Sequence, residues 1–398
     1  MPLELATIEQ ELRESPIRKI ATLLSESKAH KDIISFGGGA PSLPPPREVV
    51  NAIISVLKKD PFKAMQYTAT KGNLSLREKI CADLKKYEKI SITSGQVALT
   101  IGATGAIDIA LESIINPGDE IILADPTYAG YPGPTIKERA KIRYVPTKWQ
   151  ENFDLKTDLI QKLINRRTKA LILLSPDNPT GRVLSKETVK AVADFAKEHK
   201  FWLITDETYK DILYGGKHYP AYKFAPENTL SIFTYSKSAS SPALRLGYVY
   251  GPQKAIDGVA KLNQYVSLCP SNISQIGAEA FYKVKKKYLS QKVLPTYRKR
   301  MEAMGKALKK YLPLAGFVKP QGAFYYFVDF TLYLRELRIS EEKFAEKLLK
   351  ENHVVVIPGR YFGESGRNHC RLTFVSEKEN RIKEGIQRIS GFMRKSIK

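Results

Sequence analysis

Between residues 90 and 233 short apolar runs alternate with longer stretches in which apolar residues recur every three or four positions. The runs at 90–93, 120–124, 142–145, 170–174, 202–205 and 230–233 read as strands, and the stretches between them as amphipathic helices. Residues 170–174, Ala-Leu-Ile-Leu-Leu, are apolar without interruption, the mark of a strand buried on both faces. After the first run, Ser94-Gly95-Gln96 reads as the start of a helix that carries Leu99, Ile101, Ile107 and Leu111. Alternation of this kind implies an α/β fold, a mostly parallel sheet with helices on both faces.

The pattern changes on either side of this region. Residues 1–30 read as a helix pair with Pro16 in a first turn, and 33–41 as a strand running into Gly37, Gly38 and Gly39. Three prolines, Pro44 to Pro46, then end regular structure. Far downstream, Tyr297, Met301, Met304, Leu308 and Leu312 keep helical spacing, with Arg298, Lys299, Arg300, Lys306, Lys309 and Lys310 between them as a solvated basic face. Strands at 324–330, 354–357 and 371–374 and a helix at 341–349 follow, which predicts a smaller α+β domain. The expected organisation is an N-terminal segment 1–45 that completes the small domain, a large α/β domain 46–288, and the small domain proper 289–398.

Composition narrows the class. A chain of 398 residues with 43% hydrophobic and 26% charged residues is ordinary for a soluble globular protein of two domains. Glu4, Glu9, Glu11 and Glu14 leave no apolar segment for a secretory leader, and no apolar run reaches the ~18 residues of a membrane span. Cys81, Cys269 and Cys370 lack the paired spacing of a metal site and the even count of a disulfide framework. A cytoplasmic protein without a resident metal is expected. The formal charge of +23 admits a nucleic-acid or membrane partner. The lysines, however, are spread along helix faces, so a solvated surface that steers small anions is the better reading, with neither partner expected. Many Lys and Glu beside few Cys and Met fit a heat-loving source.

One stretch, residues 231–248 (SIFTYSKSASSPALRLGY), combines unusual chemistry. Lys237 stands at the end of an apolar run among Ser236, Ser238, Ser240 and Ser241. Desolvation there disfavours its charged form, and a neutral amine condenses with aldehydes. Arg245, eight positions on, offers a planar fork suited to phosphate. An aldehyde and a phosphate together point to pyridoxal 5′-phosphate; a surface lysine beside a structural arginine is the other reading. Ser94, Tyr128, Asn178, Asp206, Tyr209, Ser236 and Lys237 all fall just after predicted strands, the edge where open parallel sheets bind ligands. Asp206 needs a cation, either a protonated pyridine nitrogen or a structural partner. Tyr209 and Asn178 can donate to a phenolate oxygen, and Tyr128 can stack on a ring. Arg371, on a predicted strand after a Gly-containing loop, suits a carboxylate; Arg18 is a second such candidate.

The order and spacing of these motifs, from about Pro16 to Phe374, resemble the fold-type I, class I/II pyridoxal-phosphate aminotransferases. The resemblance implies Lys237 as the lysine that joins the cofactor's aldehyde, with Arg245 and Ser236 on its phosphate. It implies Ser94, Gly95 and Gln96 as the phosphate-binding helix start, Tyr128 on the ring, and Asn178, Asp206 and Tyr209 as ring contacts. Arg371 would grip the substrate α-carboxylate, near Asn178 and Gly38. Tyr67 would reach the phosphate of a second subunit, so a homodimer with shared sites is implied. The segments IRKI and ISFGGGAP resemble the aromatic, kynurenine and 2-aminoadipate aminotransferase subgroup. Pro176-Asp177 and Ser241-Pro242-Ala243 depart from its usual Phe-Gln and Ala-Pro-Gly. The implied reaction moves an amino group from an L-amino acid to a 2-oxo acid such as 2-oxoglutarate by ping-pong kinetics. A β-lyase or decarboxylase on the same scaffold is one alternative. A transcription regulator is another, but it would need an added DNA-binding module ahead of the glycines and Tyr67.

Overall fold

The computed structural model describes residues 5–12 and 32–396. Strand β1 (Ile34–Ser35) stands apart from the central sheet. That sheet contains β2 (Val97–Thr100), β3 (Glu120–Asp125), β4 (Lys141–Pro146), β5 (Thr168–Leu174), β6 (Trp202–Asp206), β7 (Thr229–Thr234) and β8 (Gly247–Tyr250), in the order β2-β8-β7-β6-β5-β3-β4. The pairings β4-β3-β5-β6-β7 are parallel, and β8 runs antiparallel between β7 and β2. The sheet is therefore mostly parallel, as the alternating pattern predicts. Its inner strands β5 and β6 are apolar on both faces because helices such as Gly102–Ile114 and Lys186–His199 pack against the sheet, whereas the outer strand β4 is largely exposed. Burying each Leu or Ile of β5 contributes about 1.5–3 kcal/mol.

One early element differs from expectation. Residues 90–93 form no strand; β2 is the next run, Val97–Thr100, fully buried although it pairs on one side only, with β8. In 90–93 apolar and polar residues alternate and half of the run faces solvent, whereas Val-Ala-Leu can be covered on both faces. Ser94–Gln96 accordingly form a single 3₁₀ turn ahead of β2, and the helix begins at Gly102.

The C-terminal part builds a second, antiparallel sheet from β9 (Gly316–Phe317), β10 (Tyr325–Asp329), β12 (Ile357–Pro358) and β13 (His369–Thr373). The run at 354–357 divides: β11 (Val354–Val355) pairs in parallel with β1, and β12 pairs with β13. The segment around residue 34 is thereby tied to the C-terminal part. The helix Leu294–Tyr311 buries Tyr297, Met301, Met304 and Leu308. Arg300 is buried too, and donates to Ser42 Oγ and the Val375 carbonyl, so it does not belong to the solvated basic face. It lies three positions from Tyr297 and therefore on the same side of the helix.

At the amino end of β3, the fully buried Glu120 accepts from Arg143 (2.9 and 3.2 Å) and Asn165 (2.8 Å) and pairs with Arg167 (3.1 Å). These contacts tie β3 to β4 and to the chain entering β5. The bonds from Arg143 and Asn165 hold its carboxyl at about 2, against an ordinary 4.5. A depressed folded value stabilises the fold fully above about pH 4.5, and that contribution is lost as pH falls toward 2. Both arginines are part-exposed and solvent-screened, so Glu120→Gln should cost only about 1–2 kcal/mol. Urea unfolding at pH 7 and pH 3 checks this: the gap between wild type and variant should narrow at the lower pH.

Candidate active site

The carboxyl ends of β2, β3, β5, β6 and β7 share one sheet edge. Lys237 sits there on the one-turn helix Tyr235–Ser238, whose start is capped by Thr234 accepting from Ser236 N–H. The Lys237 amine donates to the Gly39 carbonyl at 2.8 Å and lies 5.9 Å from the Tyr209 ring centre. Desolvation first, then the positive charges of Arg371 and Arg245, bring it down to about 8. Its helix follows a strand, so the amine is aimed at the edge and not at bulk water.

Asp206 ends β6 and is 4% exposed. Its carboxylate accepts from Tyr131 Oη at 3.0 Å and from Thr208 N–H at 3.0 Å, and burial pushes its pKa up. Among the described residues no cation lies within ion-pairing distance of it. A buried carboxylate held by neutral donors alone is an open seat for a cationic ligand. Tyr131 was not anticipated from the sequence, although its spacing of three from Tyr128 after β3 could have signalled it. The two rings meet edge to face at 5.3 Å.

Tyr209 is buried and its hydroxyl bonds the Tyr325 hydroxyl at 2.7 Å. Arg371, on β13, is buried and donates to Asn178 Oδ1 at 3.1 Å and to the Gly37 carbonyl at 2.6 Å. Its guanidinium lies 4.4 Å from the Tyr325 ring and 5.0 Å from that of Phe362, and its Nε has no partner among the described residues. An arginine with a spare buried donor between two rings suits an incoming carboxylate. The carbonyl end of Asn178 is taken by Arg371, so the group it can offer a ligand is its amide NH₂. Asp177, which replaces a residue of the resembled subgroup, accepts from Thr180 N–H at 3.1 Å and fixes the turn that carries Asn178.

The structure places Ser94-Gly95-Gln96 away from this cluster. Those residues precede β2, at the opposite edge of the sheet, about 13 Å of strand away from its carboxyl end. Gln96 bonds Thr93 N–H, Tyr222 and Gly251 there. The helix start at the correct edge is Gly102, with φ +66°. A Cβ on Gly102 would sit 3.0 Å from Arg245 Nη2, so the arginine packs against the start of that helix. The signal in sequence was the pair Gly102 and Gly105 inside what reads as a helix interior.

Of the remaining candidates, Ser236 is buried, and its hydroxyl accepts from Thr234 Oγ1 at 2.9 Å. Gly38 lies between two glycines whose carbonyls hold Arg371 and Lys237. Tyr67 is 82% exposed and lies outside this cluster. Arg18 lies outside the described residues. Among the described residues no helix is long and apolar enough to cross a membrane.

A family model described as "Aminotransferase class I and II" matches residues 31–389. An aspartate aminotransferase of Pyrococcus horikoshii is 33% identical over 93% of each chain. An aromatic-amino-acid aminotransferase of Thermococcus litoralis is 29% identical over 94% of each. Among solved structures, aspartate aminotransferase from Thermus thermophilus with maleate superposes with a TM-score of 0.92 at 27% identity, covering 98% of this chain and all of the other.

The environment of Lys237 makes a direct prediction. In ligand-free protein its labelling by an amine-reactive reagent, followed by peptide mass spectrometry, should rise with a midpoint near pH 8 instead of 10.5. A midpoint shared with exposed lysines would contradict the desolvation argument.

Proposed function

The chain belongs to the class I and II aminotransferases, a family whose members use pyridoxal 5′-phosphate, and on that premise we propose how its residues divide the work. The reading rests on one observation: a desolvated amine, Lys237, shares a site with a buried carboxylate, Asp206, that has no cation within ion-pairing distance among the described residues. These residues fit the cofactor. Lys237 would hold its aldehyde, Asp206 its ring nitrogen, Tyr209 and Asn178 its phenolate oxygen, and Tyr128 the ring face. Arg245, Ser236 and the N–H groups that follow Gly102 would hold the phosphate.

When bound, the cofactor supplies an aldehyde for the amine nitrogen and a protonated ring that draws electrons from the substrate Cα. The protein's part is to bind, orient and move protons. Arg371 binds the α-carboxylate and so fixes which Cα–H faces Lys237. The Lys237 amine, close to half neutral near pH 8, takes that proton. Asp206, oriented by Tyr131 and Thr208, keeps a proton on the ring nitrogen. We favour an aromatic or 2-aminoadipate-like L-amino acid as donor, supported by the rings of Tyr325 and Phe362 beside Arg371, and 2-oxoglutarate as acceptor. A double-displacement order follows from one seat that serves both partners in turn.

We further propose a homodimer with shared sites. Phe62, Met65, Tyr67, Tyr265, Val266 and Leu268 are all exposed. Their two segments are joined by Thr68 N–H to Cys269 Sγ and by Asn272 Nδ2 to the Lys63 carbonyl, which makes one apolar face. Tyr67 on that face would serve the second subunit's phosphate. Residues 46–288 would form the cofactor-binding unit, with 1–45 joining 289–398, a division that the β1–β11 pairing supports. The three unpaired thiols accord with a cytoplasmic setting.

Lys237→Ala should remove the visible absorbance that added pyridoxal phosphate gives the wild type and abolish turnover; normal turnover by this variant would refute the assignment. With wild type, glutamate formation should require 2-oxoglutarate and give parallel double-reciprocal plots, whereas a lyase would release product without an acceptor. Gly102→Ala should weaken cofactor binding by about tenfold or more, because its new methyl meets Arg245 at a positive φ. Ser94→Ala should leave the affinity within about twofold. A fluorescence titration compares the two, and the reverse ranking would return the phosphate to Ser94.

A further inference from the structure

Tyr325 lies in an apolar run of β10, where sequence reading sees only core. Its surroundings are not those of a core residue. The ring carries the Arg371 guanidinium at 4.4 Å. The hydroxyl bonds Tyr209 Oη at 2.7 Å. The same hydroxyl presses on Gly39, where a Cβ would fall 2.4 Å from it, and the Gly39 carbonyl is the acceptor for the Lys237 amine. Tyr325 therefore touches Arg371, Tyr209 and the backbone that holds Lys237, while β10 pairs with β13 and sets Phe327 opposite Arg371.

We propose that Tyr325 is a positioning residue with two separable parts: its ring seats the substrate-binding arginine, and its hydroxyl sets the direction of the Tyr209 proton. The inference rests on the aminotransferase reading above. A tyrosine hydroxyl carries one proton and can also accept. If Tyr325 donates to Tyr209, the Tyr209 proton is left to point into the site, at the ring oxygen assigned to it. If that donor is removed, Tyr209 loses its fixed rotor and its bond to the ligand weakens. The ring part is independent of this: guanidinium over an aromatic face is held by the ring's quadrupole, with or without a hydroxyl.

Tyr325→Phe and Tyr325→Leu separate the two parts. For Tyr325→Phe, with the ring kept, KM for 2-oxoglutarate should stay within about twofold while kcat falls about tenfold. The pH midpoint of the cofactor's visible band should also rise, by roughly half a unit or more, because one donor to the charged form is weakened. The charged and titratable groups facing Tyr209 are Tyr325, Arg371, Tyr128 and Lys237, and only the first is altered. For Tyr325→Leu, KM should rise about tenfold or more as well, since the ring face is gone. Gly39→Ala sets a methyl 2.4 Å from the hydroxyl and only at van der Waals contact, 3.4 and 3.6 Å, with the ring, so it displaces the hydroxyl first and should raise the band midpoint as Tyr325→Phe does. In a Tyr209→Phe background the band shift caused by Tyr325→Phe should vanish. A purely structural residue would lower the melting temperature and leave the band midpoint in place. A wild type that gives no band with pyridoxal phosphate overturns both the functional reading and this inference. A normal wild-type band with an unshifted Tyr325→Phe and Gly39→Ala overturns this inference alone.

Discussion

A carboxylate and an amine are buried in one site, and each is bonded to something other than its opposite charge. Asp206 is held by Tyr131 and Thr208, and Lys237 by the Gly39 carbonyl. Burial pushes the first up and the second down, so both lean toward their neutral forms. Such a pair carries a desolvation cost that it does not recover by itself. A ligand with a basic ring nitrogen and an aldehyde would recover it at both ends.

The central sheet is what allows the two groups to meet. Parallel strands deliver their carboxyl ends to one edge, so residues far apart in sequence, such as Asp206 and Lys237, arrive as neighbours. Strand β8 runs the other way, yet it extends the same logic. Its amino end pairs with the carboxyl end of β2, and Arg245 thereby meets the helix that starts at Gly102. The second sheet adds Arg371, which reaches across to Asn178. One hydrogen bond thus joins the second sheet to the turn that follows β5.

Most of this was legible in the sequence because strand ends leave sharp marks: an apolar run, then Asp206-Glu207-Thr208-Tyr209 or Ser236-Lys237. The misreadings have physical causes. Ser94-Gly95-Gln96 looks like a helix start because small and polar residues cap helices, but the apolar tetrad after it was long enough to be a strand of its own. The helix start at Gly102 was hidden because its glycine follows that strand by only two residues, inside a stretch that reads as one helix from Ser94 onward. Tyr131 and Tyr325 escaped since an aromatic residue beside a strand looks the same whether its hydroxyl is used or not. Arg300 was placed in solvent by its charge, although its spacing from Tyr297 already put it inside.

The way this protein treats its other buried lysines explains what is special about Lys237. Lys210 lies 3.1 Å from Glu207, and Lys285 pairs with Asp83 at 2.7 Å and Asp211 at 3.2 Å. In both, the carboxylates outweigh burial and raise the ammonium above an ordinary lysine. Those two are structural cations, locked in their charged form. Lys237 and Arg371 are instead held by neutral acceptors: the Gly39 carbonyl for one, the Gly37 carbonyl and the Asn178 amide for the other. A carbonyl dipole orients a cation without cancelling its charge, so Arg371 keeps its attraction for an incoming carboxylate. For Lys237 the same arrangement lets desolvation win, and the amine becomes a base near neutral pH. A carboxylate in place of the Asn178 amide would pair with Arg371 and lessen its attraction for an incoming carboxylate. The run Gly37 to Gly39 supplies two of those carbonyls and so does more than make a turn.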